Sequence, residues 1–217
     1  VTGQLNAKLV FDLMAEMAWK MGDPGLVFLD RINRDNPNPQ LGEIESTNPC
    51  GEQPLLPYES CNLASINLAR MVKYTGDDVA VDWERLTRAV SIAVHLLDNV
   101  IDMNKYPIPE VEEMSKKTRR IGLGVMGFSD LLIQLGACYD SEEALQVADE
   151  VMGRIWDETH QASAALAQRR GTFPAWEGSV YGPSGPSGEG RPMRNSAPTT
   201  IAPTGTISII AGASSGI

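Results

Sequence analysis

The stretch SEEALQVADEVMGRIWDETHQASAALAQRRG, residues 141–171, constrains the chain more than any other, because both ends of one long helix are written into it. Ser141 can cap it, Glu142 and Glu143 suit its positive end, Arg169 and Arg170 suit its negative end, and Gly171 fits the turn that closes it. A second long amphipathic helix is predicted in VDWERLTRAVSIAVHLLDNVIDM, capped by Asp82 and ended before Pro107. A polar helix should follow over 109–118, with Glu112 facing Lys116 and Glu113 facing Lys117. Near the start, Thr2 can cap a helix through LNAKLVFDLMAEMAWKM, whose Leu5, Leu9, Leu13 and Met17 recur every four residues until GDPG stops it. VFLDRIN then reads as a short strand or turn. From Gly171 to Pro198 the chain is rich in Gly, Pro and Ser, and an exposed loop is expected.

At 217 residues and 42% hydrophobic, the chain can bury a core. A formal charge of -10 argues against nucleic acid or an anionic membrane as partner, since the summed field repels both. No run approaches the roughly 20 apolar residues of a bilayer span, and VTGQLNAKLVF lacks the marks of a signal peptide, so a cytosolic location is expected. The opening without methionine and the Gly/Ser stop at residue 217 read as cut ends.

Two of the three cysteines, Cys50 and Cys61, lie in NPCGEQPLLPYESCNL. In a reducing compartment such a pair is more often catalytic, redox-active or metal-binding than structural. Metal binding needs more ligands than the sequence offers: there is no CxxC, and His95 and His160 sit in helical patterns. Between Ile44 and Ala69 there is no Lys, Arg or His, while Glu45, Glu52 and Glu59 add negative charge. That setting disfavours a thiolate and suits chemistry that wants a neutral S–H, such as hydrogen-atom transfer, with Glu52 as a separate proton acceptor. Asn48 supplies an amide for hydroxyl groups. Asn48, Cys50 and Glu52 would share one face of an extended backbone, and Pro49, Pro54 and Pro57 make a stiff loop rather than a helix. The competing reading is that Cys50 is a small packing residue in a loop.

NPCGEQPLLPYESCNLASINL resembles the finger-loop segment of ribonucleotide reductase large subunits, specifically the adenosylcobalamin-dependent class II enzymes. RRIGLGVMGFSDLLIQLG and TTIAPTGTISIIAGASSGI resemble further segments of that family, in the family's order. The resemblance implies an α/β chain, residues 1–217, forming part of a ten-stranded α/β barrel with the cysteine on an inner finger loop. It implies that Cys50 becomes a thiyl radical and takes the ribose 3′ hydrogen of a ribonucleotide. By the same likeness Glu52 accepts the 3′-hydroxyl proton, Asn48 holds the sugar hydroxyls, and the 2′-hydroxyl leaves as water. Cys61 is implied to be half of a dithiol that supplies two electrons, its partner belonging to an earlier segment of the family sequence. Cys138 reads instead as a core residue at the end of an apolar helix. Further implications are adenosylcobalamin as cofactor, a thioredoxin-type reductant, nucleotide effectors acting through other regions, and a homodimer when full-length. A class I large subunit, or a thiol-disulfide or binding module without radical chemistry, are the rival readings.

In APTGTIS, Pro203 precedes successive backbone N–H groups at Thr204, Gly205, Thr206 and Ile207, a pattern that can cradle phosphate without cationic side chains. The resemblance assigns this loop to the substrate's phosphates. GLGVMG satisfies G-x-G-x-x-G at Gly122, Gly124 and Gly127, but EEMSKKTRR precedes it where a dinucleotide site needs a strand. The family likeness makes it a barrel strand entering a helix, with small residues for close packing.

Overall fold

The computed structural model describes residues 3–76, 78–188 and 190–217. The first helix, α1 (Ala7–Met21), is capped by the side chain of Asn6, which accepts from the Lys8 and Leu9 amides, and is closed by Gly22. Thr2, expected as its cap, lies outside the described residues. None of the residues of α1 is buried. The segment expected as a strand or turn is a short helix, α2 (Leu29–Arg34), with Asp30 in its first turn and Arg31 and Arg34 in its last. Those charges complement the helix dipole, whereas the window is too short for apolar periodicity to tell helix from strand. Asn33 on α2 donates to the Ile44 carbonyl and accepts from the Ile44 amide, at 2.9 and 2.7 Å, and so fixes where the following loop departs.

A two-residue pair, β1 (Ser46–Thr47) and β2 (Pro54–Leu55), runs antiparallel and carries a turn between its strands. Next come β3 (Asn62–Asn67), the hairpin β4 (Val72–Thr75) and β5 (Asp78–Val81), α3 (Trp83–Met103), α4 (Pro109–Thr118), β6 (Ile121–Met126), α5 (Phe128–Leu135), α6 (Glu142–Arg170) and α7 (Gly205–Ala211). α3, α4 and α6 occupy the spans their caps predict; Asp82 accepts from the Arg85 amide and Ser141 from the Ala144 amide. Lys116 meets Glu112 at 2.5 Å.

β3 and β6 pair in parallel from Asn62–Ile121 to Asn67–Met126. Residues 197–200 extend this layer along the other edge of β6: the Ile121 and Leu123 amides donate to the Ala197 and Pro198 carbonyls, and the Thr200 amide to the Leu123 carbonyl. Ile121, Leu123 and Val125 of β6 face the core, where they meet Leu86, Val90, Val94 and Leu97 of α3, Phe128 and Leu131 of α5, and Ile155 of α6. Helices therefore cover one face of a parallel layer, the arrangement of a barrel wall. Among the described residues no helix is long and apolar enough to cross a membrane.

Gly122 and Gly124 lie on the opposite face from that core, as strand alternation requires. A Cβ on Gly124 would stand 2.3 Å from the Thr200 carbonyl oxygen, and one on Gly122 within 2.8 Å of Leu63, Gln53 and Thr200 side-chain atoms. Small residues are needed there because neighbouring backbone crosses the strand. Gly124→Ala should cost about 1–3 kcal/mol through this overlap. Gly153→Ala, on an α6 position with nothing within 4 Å, should be neutral or stabilising by up to about 1 kcal/mol. Urea unfolding of the two variants checks the contrast; equal midpoints would remove the close-approach explanation.

Two expectations are corrected. Residues 171–198 are not simply an exposed loop: Phe173, Met193 and Asn195 are fully buried, and Ser163 of α6 binds the Arg194 and Asn195 amides at 3.1 and 3.0 Å. The segment lacks regular structure because of its glycines and prolines, yet polar anchors hold it on the core. Cys138 is exposed rather than packed. Gly136, at φ +78°, ends α5 and turns the chain, so that Ala137 enters the core and the next side chain faces out.

Candidate active site

The turn between β1 and β2 is built by Asn48 and Gln53. The Asn48 amide donates to the Gln53 carbonyl at 3.1 Å, the Gln53 amide donates to Asn48 Oδ1 at 2.9 Å, and the Gly51 amide donates to the Asn48 carbonyl at 3.0 Å. Gly51 sits at φ +86°, a left-handed position that glycine adopts without penalty. The stiff-loop expectation holds, but the backbone is folded rather than extended, so Asn48, Cys50 and Glu52 are grouped by a turn and not by strand alternation. The cause is the pair of Asn48–Gln53 bonds, which close the loop across its base. Since Asn48 Oδ1 already accepts from Gln53, its NH₂ is the group left to donate to a bound hydroxyl.

Cys50 is exposed at the tip. Glu52 is half-buried, and its Oε2 is shut from solvent without a hydrogen-bond partner. An oxygen in that state is free to accept a hydrogen bond from a bound hydroxyl group. The Glu52 carbonyl accepts from Thr200 Oγ1 at 2.9 Å, which ties the turn to residues 197–200 of the parallel layer. Gln53, 3% exposed, rests over Gly122. Neither Gln53 nor Thr200 was marked by the sequence, and no local signal marks them; their roles come from the crossing of two distant segments.

The loop Pro203–Ile207 starts three positions after Thr200, whose side chain is bonded to the turn. Thr204 holds φ +56°, uncommon for a β-branched residue, and its Oγ1 accepts from the Gly216 amide at 2.8 Å. The Ser214 amide donates to Asp130 Oδ2 at 2.7 Å and so fixes the far end of this segment to α5. As α7 begins here, the Gly205, Thr206 and Ile207 amides lack intrahelical acceptors. All three residues are exposed.

Cys61 lies one position before β3, near enough to the turn for Glu52 to act on it. It is half-buried, and its Sγ donates to the Asn62 carbonyl at 3.4 Å. Burial pushes the thiol up to about 12; Arg120 pulls it down, and Glu59 and Glu52 push it further up. Arg120, 5% exposed, meets Glu59 at 2.9 Å, although the Nε–H is not aligned on the carboxylate. The segment without bases thus acquires a cation through tertiary structure.

Beside the turn, Leu26, Val27, Phe28, Arg31, Ile32, Thr47 and Gly51 line an open, largely apolar hollow of about 580 Å³. Its floor is the α2 entry and its rim is the turn that carries Cys50.

Residues 1–184 match the family model described as ribonucleotide reductase, barrel domain. The chain is 56% identical over 214 residues to a vitamin B12-dependent ribonucleoside-diphosphate reductase of Thermoplasma acidophilum, covering 99% of this chain and 27% of that one. A protein of the same description from Mycobacterium tuberculosis is 53% identical over 220 residues, covering 100% of this chain and 30% of its own length. The chain therefore spans under a third of these relatives. Among solved structures, the Actinobacillus ureae class Id ribonucleotide reductase alpha subunit superposes with a TM-score of 0.77 at 24% identity, over 96% of this chain and 38% of that one. That likeness bears on the fold.

Proposed function

Since the chain belongs to the ribonucleotide reductase barrel-domain family, we propose that it forms part of the catalytic barrel of a cytoplasmic enzyme that reduces ribonucleoside diphosphates to deoxyribonucleotides for DNA synthesis. The observation that carries this reading is the turn itself: an exposed thiol at Cys50 beside a carboxylate, Glu52, with a buried oxygen that has no partner. In this mechanism Cys50 Sγ, as a thiyl radical, takes the 3′ hydrogen of the ribose. Glu52 removes the 3′-hydroxyl proton, the Asn48 NH₂ holds the sugar hydroxyls, the 2′-hydroxyl takes a proton from the dithiol pair and departs as water, and Cys50 finally returns the hydrogen atom to the 3′ carbon. Pro203, Thr204, Gly205, Thr206 and Ile207 receive the phosphates through backbone amides, which suits a chain with net charge -10 because few cations are required.

The names of the two relatives support adenosylcobalamin as the cofactor. The site for such a group lies only partly in this chain: the open apolar hollow of about 580 Å³ beside the Cys50 loop is too small to enclose it, and Leu26, Val27 and Phe28 would supply one apolar wall against it. Bound there, adenosylcobalamin would supply the one-electron oxidation that removes a hydrogen atom from the Cys50 thiol. Cys61 and a cysteine of another segment of the enzyme supply the two electrons and end as a disulfide, which a thioredoxin-type dithiol reopens. Nucleotide effectors and dimer formation belong to regions beyond this barrel piece.

The test uses the full-length enzyme with a ribonucleoside diphosphate, adenosylcobalamin and a thioredoxin-type reductant. Cys61→Ser should yield at most about one deoxynucleotide per active site, measured by rapid quench, while the wild type cycles. Repeated turnover of Cys61→Ser on that reductant would show that Cys61 does not carry reducing equivalents. Absence of any product from the wild type under these conditions, with full activity when a separate radical-generating subunit is added, would overturn the cobalamin assignment.

A further inference from the structure

The parallel register of the central layer has a chemical result at its entry. Pairing begins at Asn62–Ile121, so the residues one step earlier, Cys61 and Arg120, stand side by side where the two strands start. Both line a small, partly open hollow of about 50 Å³, together with Asn62, Asn104, Tyr106 and Ser115. Arg120 is buried, yet its Nε and Nη2 make no hydrogen bond, and Asn62 Oδ1 in the same hollow is also without one. A buried guanidinium normally spends its donors on carboxylates or carbonyls. Here Glu59 neutralises the charge at 2.9 Å and leaves the donors unspent beside a sulfur.

We propose that Arg120 is a positioning residue for the redox step at Cys61: held by Glu59, its guanidinium stabilises the Cys61 thiolate that forms when the enzyme's disulfide is reopened. This rests on the reading of Cys61 as half of a dithiol. In the step, a thiolate of an external dithiol bonds to the partner cysteine's sulfur, the enzyme's S–S bond breaks, and its electron pair leaves on Cys61 Sγ. The second external thiolate then attacks the mixed disulfide and releases the partner cysteine. The external dithiol is oxidised by two electrons to its own disulfide, and the two enzyme sulfurs take up protons. A leaving thiolate departs faster when a cation stabilises it. The charged and titratable groups facing Cys61 are Arg120 before β6, Glu59 on its own segment, Glu52 on the β1–β2 turn and Tyr106 after α3. Burial sets the thiol high, and Arg120 is the largest opposing influence.

The proposal predicts effects of opposite sign from the two members of one ion pair. In pre-reduced full-length enzyme, iodoacetamide alkylation of Cys61, followed by mass spectrometry across pH, reads the thiolate fraction. Glu59→Gln should speed alkylation at pH 8 and Arg120→Gln should slow it, each by about tenfold per unit of thiol pKa moved. Arg120→Lys should fall between Arg120→Gln and the wild type. Simple loosening of the fold would speed alkylation in every variant, and that result overturns the proposal. Should Arg120→Gln fail to fold, the Glu59→Gln/Arg120→Gln pair removes both charges; it should alkylate more slowly than Glu59→Gln alone, and an equal or faster rate overturns the proposal. In turnover assays, Arg120→Gln should lower the steady-state rate by a larger factor than the first-turnover rate; equal loss in both would place Arg120 outside the redox step. Multiple turnover by Cys61→Ser would sink the dithiol reading separately, whatever the alkylation rates show.

Discussion

On the proposed function, Cys50→Ser in the full-length enzyme should eliminate deoxynucleotide formation while binding of the ribonucleoside diphosphate survives. The side chain is exposed at the tip of a turn whose shape is set by Asn48, Gly51 and Gln53, so exchanging sulfur for oxygen disturbs neither packing nor the turn's hydrogen bonds. What changes is the chemistry. An S–H bond is weak enough to exchange a hydrogen atom with a sugar C–H, and an O–H bond is too strong to be opened by the same oxidant. The measurement is product formation by chromatography together with substrate binding by equilibrium dialysis. Retained turnover in either Cys50→Ser or Cys50→Ala would refute the radical role. Glu52→Gln makes a useful companion, because it keeps the turn's backbone bond to Thr200 while removing the proton acceptor.

Asp98→Ala should be the most destabilising single change in the chain, by about 3–5 kcal/mol. Asp98 is 0% exposed on α3, and its carboxylate gathers Arg119 at 2.9 Å, Arg170 at 3.0 Å, Arg194 at 3.3 Å and Asn195 at 3.3 Å. Those partners come from the entry of β6, the end of α6 and the irregular segment after it. Removing the carboxylate leaves the buried Arg119 guanidinium and the partly shielded ones of Arg194 and Arg170 facing one another without their common counter-ion. Asp102, which Arg119 also binds at 2.7 Å, is 48% exposed, and Arg119's hydrogen bond holds its carboxyl below the usual carboxylate range. Asp102→Asn should cost no more than about 1 kcal/mol, since water screens that pair. Urea midpoints of the two variants decide: similar losses would mean that the buried network does not act as the fold's polar keystone.

Legibility in the sequence followed the range of the forces involved. The spans of α3, α4 and α6 were readable because caps, end charges and apolar spacing act within a few residues. α2 was misread because six residues give no period to count, and the N-terminal cap of α1 fell to Asn6. The GLGVMG segment is a strand entering a helix, as the family likeness implies, with Gly122 and Gly124 inside the buried strand rather than in the turn before α5. The buried residues of 171–198 were missed because Gly, Pro and Ser content reports the absence of regular structure and says nothing about polar anchoring from Ser163. Cys138 was misread as core, where its neighbour Ala137 is the buried residue: burial follows the direction of exit from a glycine-ended helix, which composition does not encode.

The sequence alone determined the spans of α3, α4 and α6 and the reactive segment, with its cysteines and acids and its lack of nearby base, because those are properties of neighbouring residues. Only the tertiary structure decided that Asn48, Cys50 and Glu52 are gathered by a closed turn, that Thr200 and Gln53 lash that turn over two glycines, and that Arg120 stands beside Cys61. The physical reason is that these placements depend on strand register and on backbone passing within van der Waals distance of Gly122 and Gly124. Such relations join residues far apart along the chain, and no local preference of either partner specifies them.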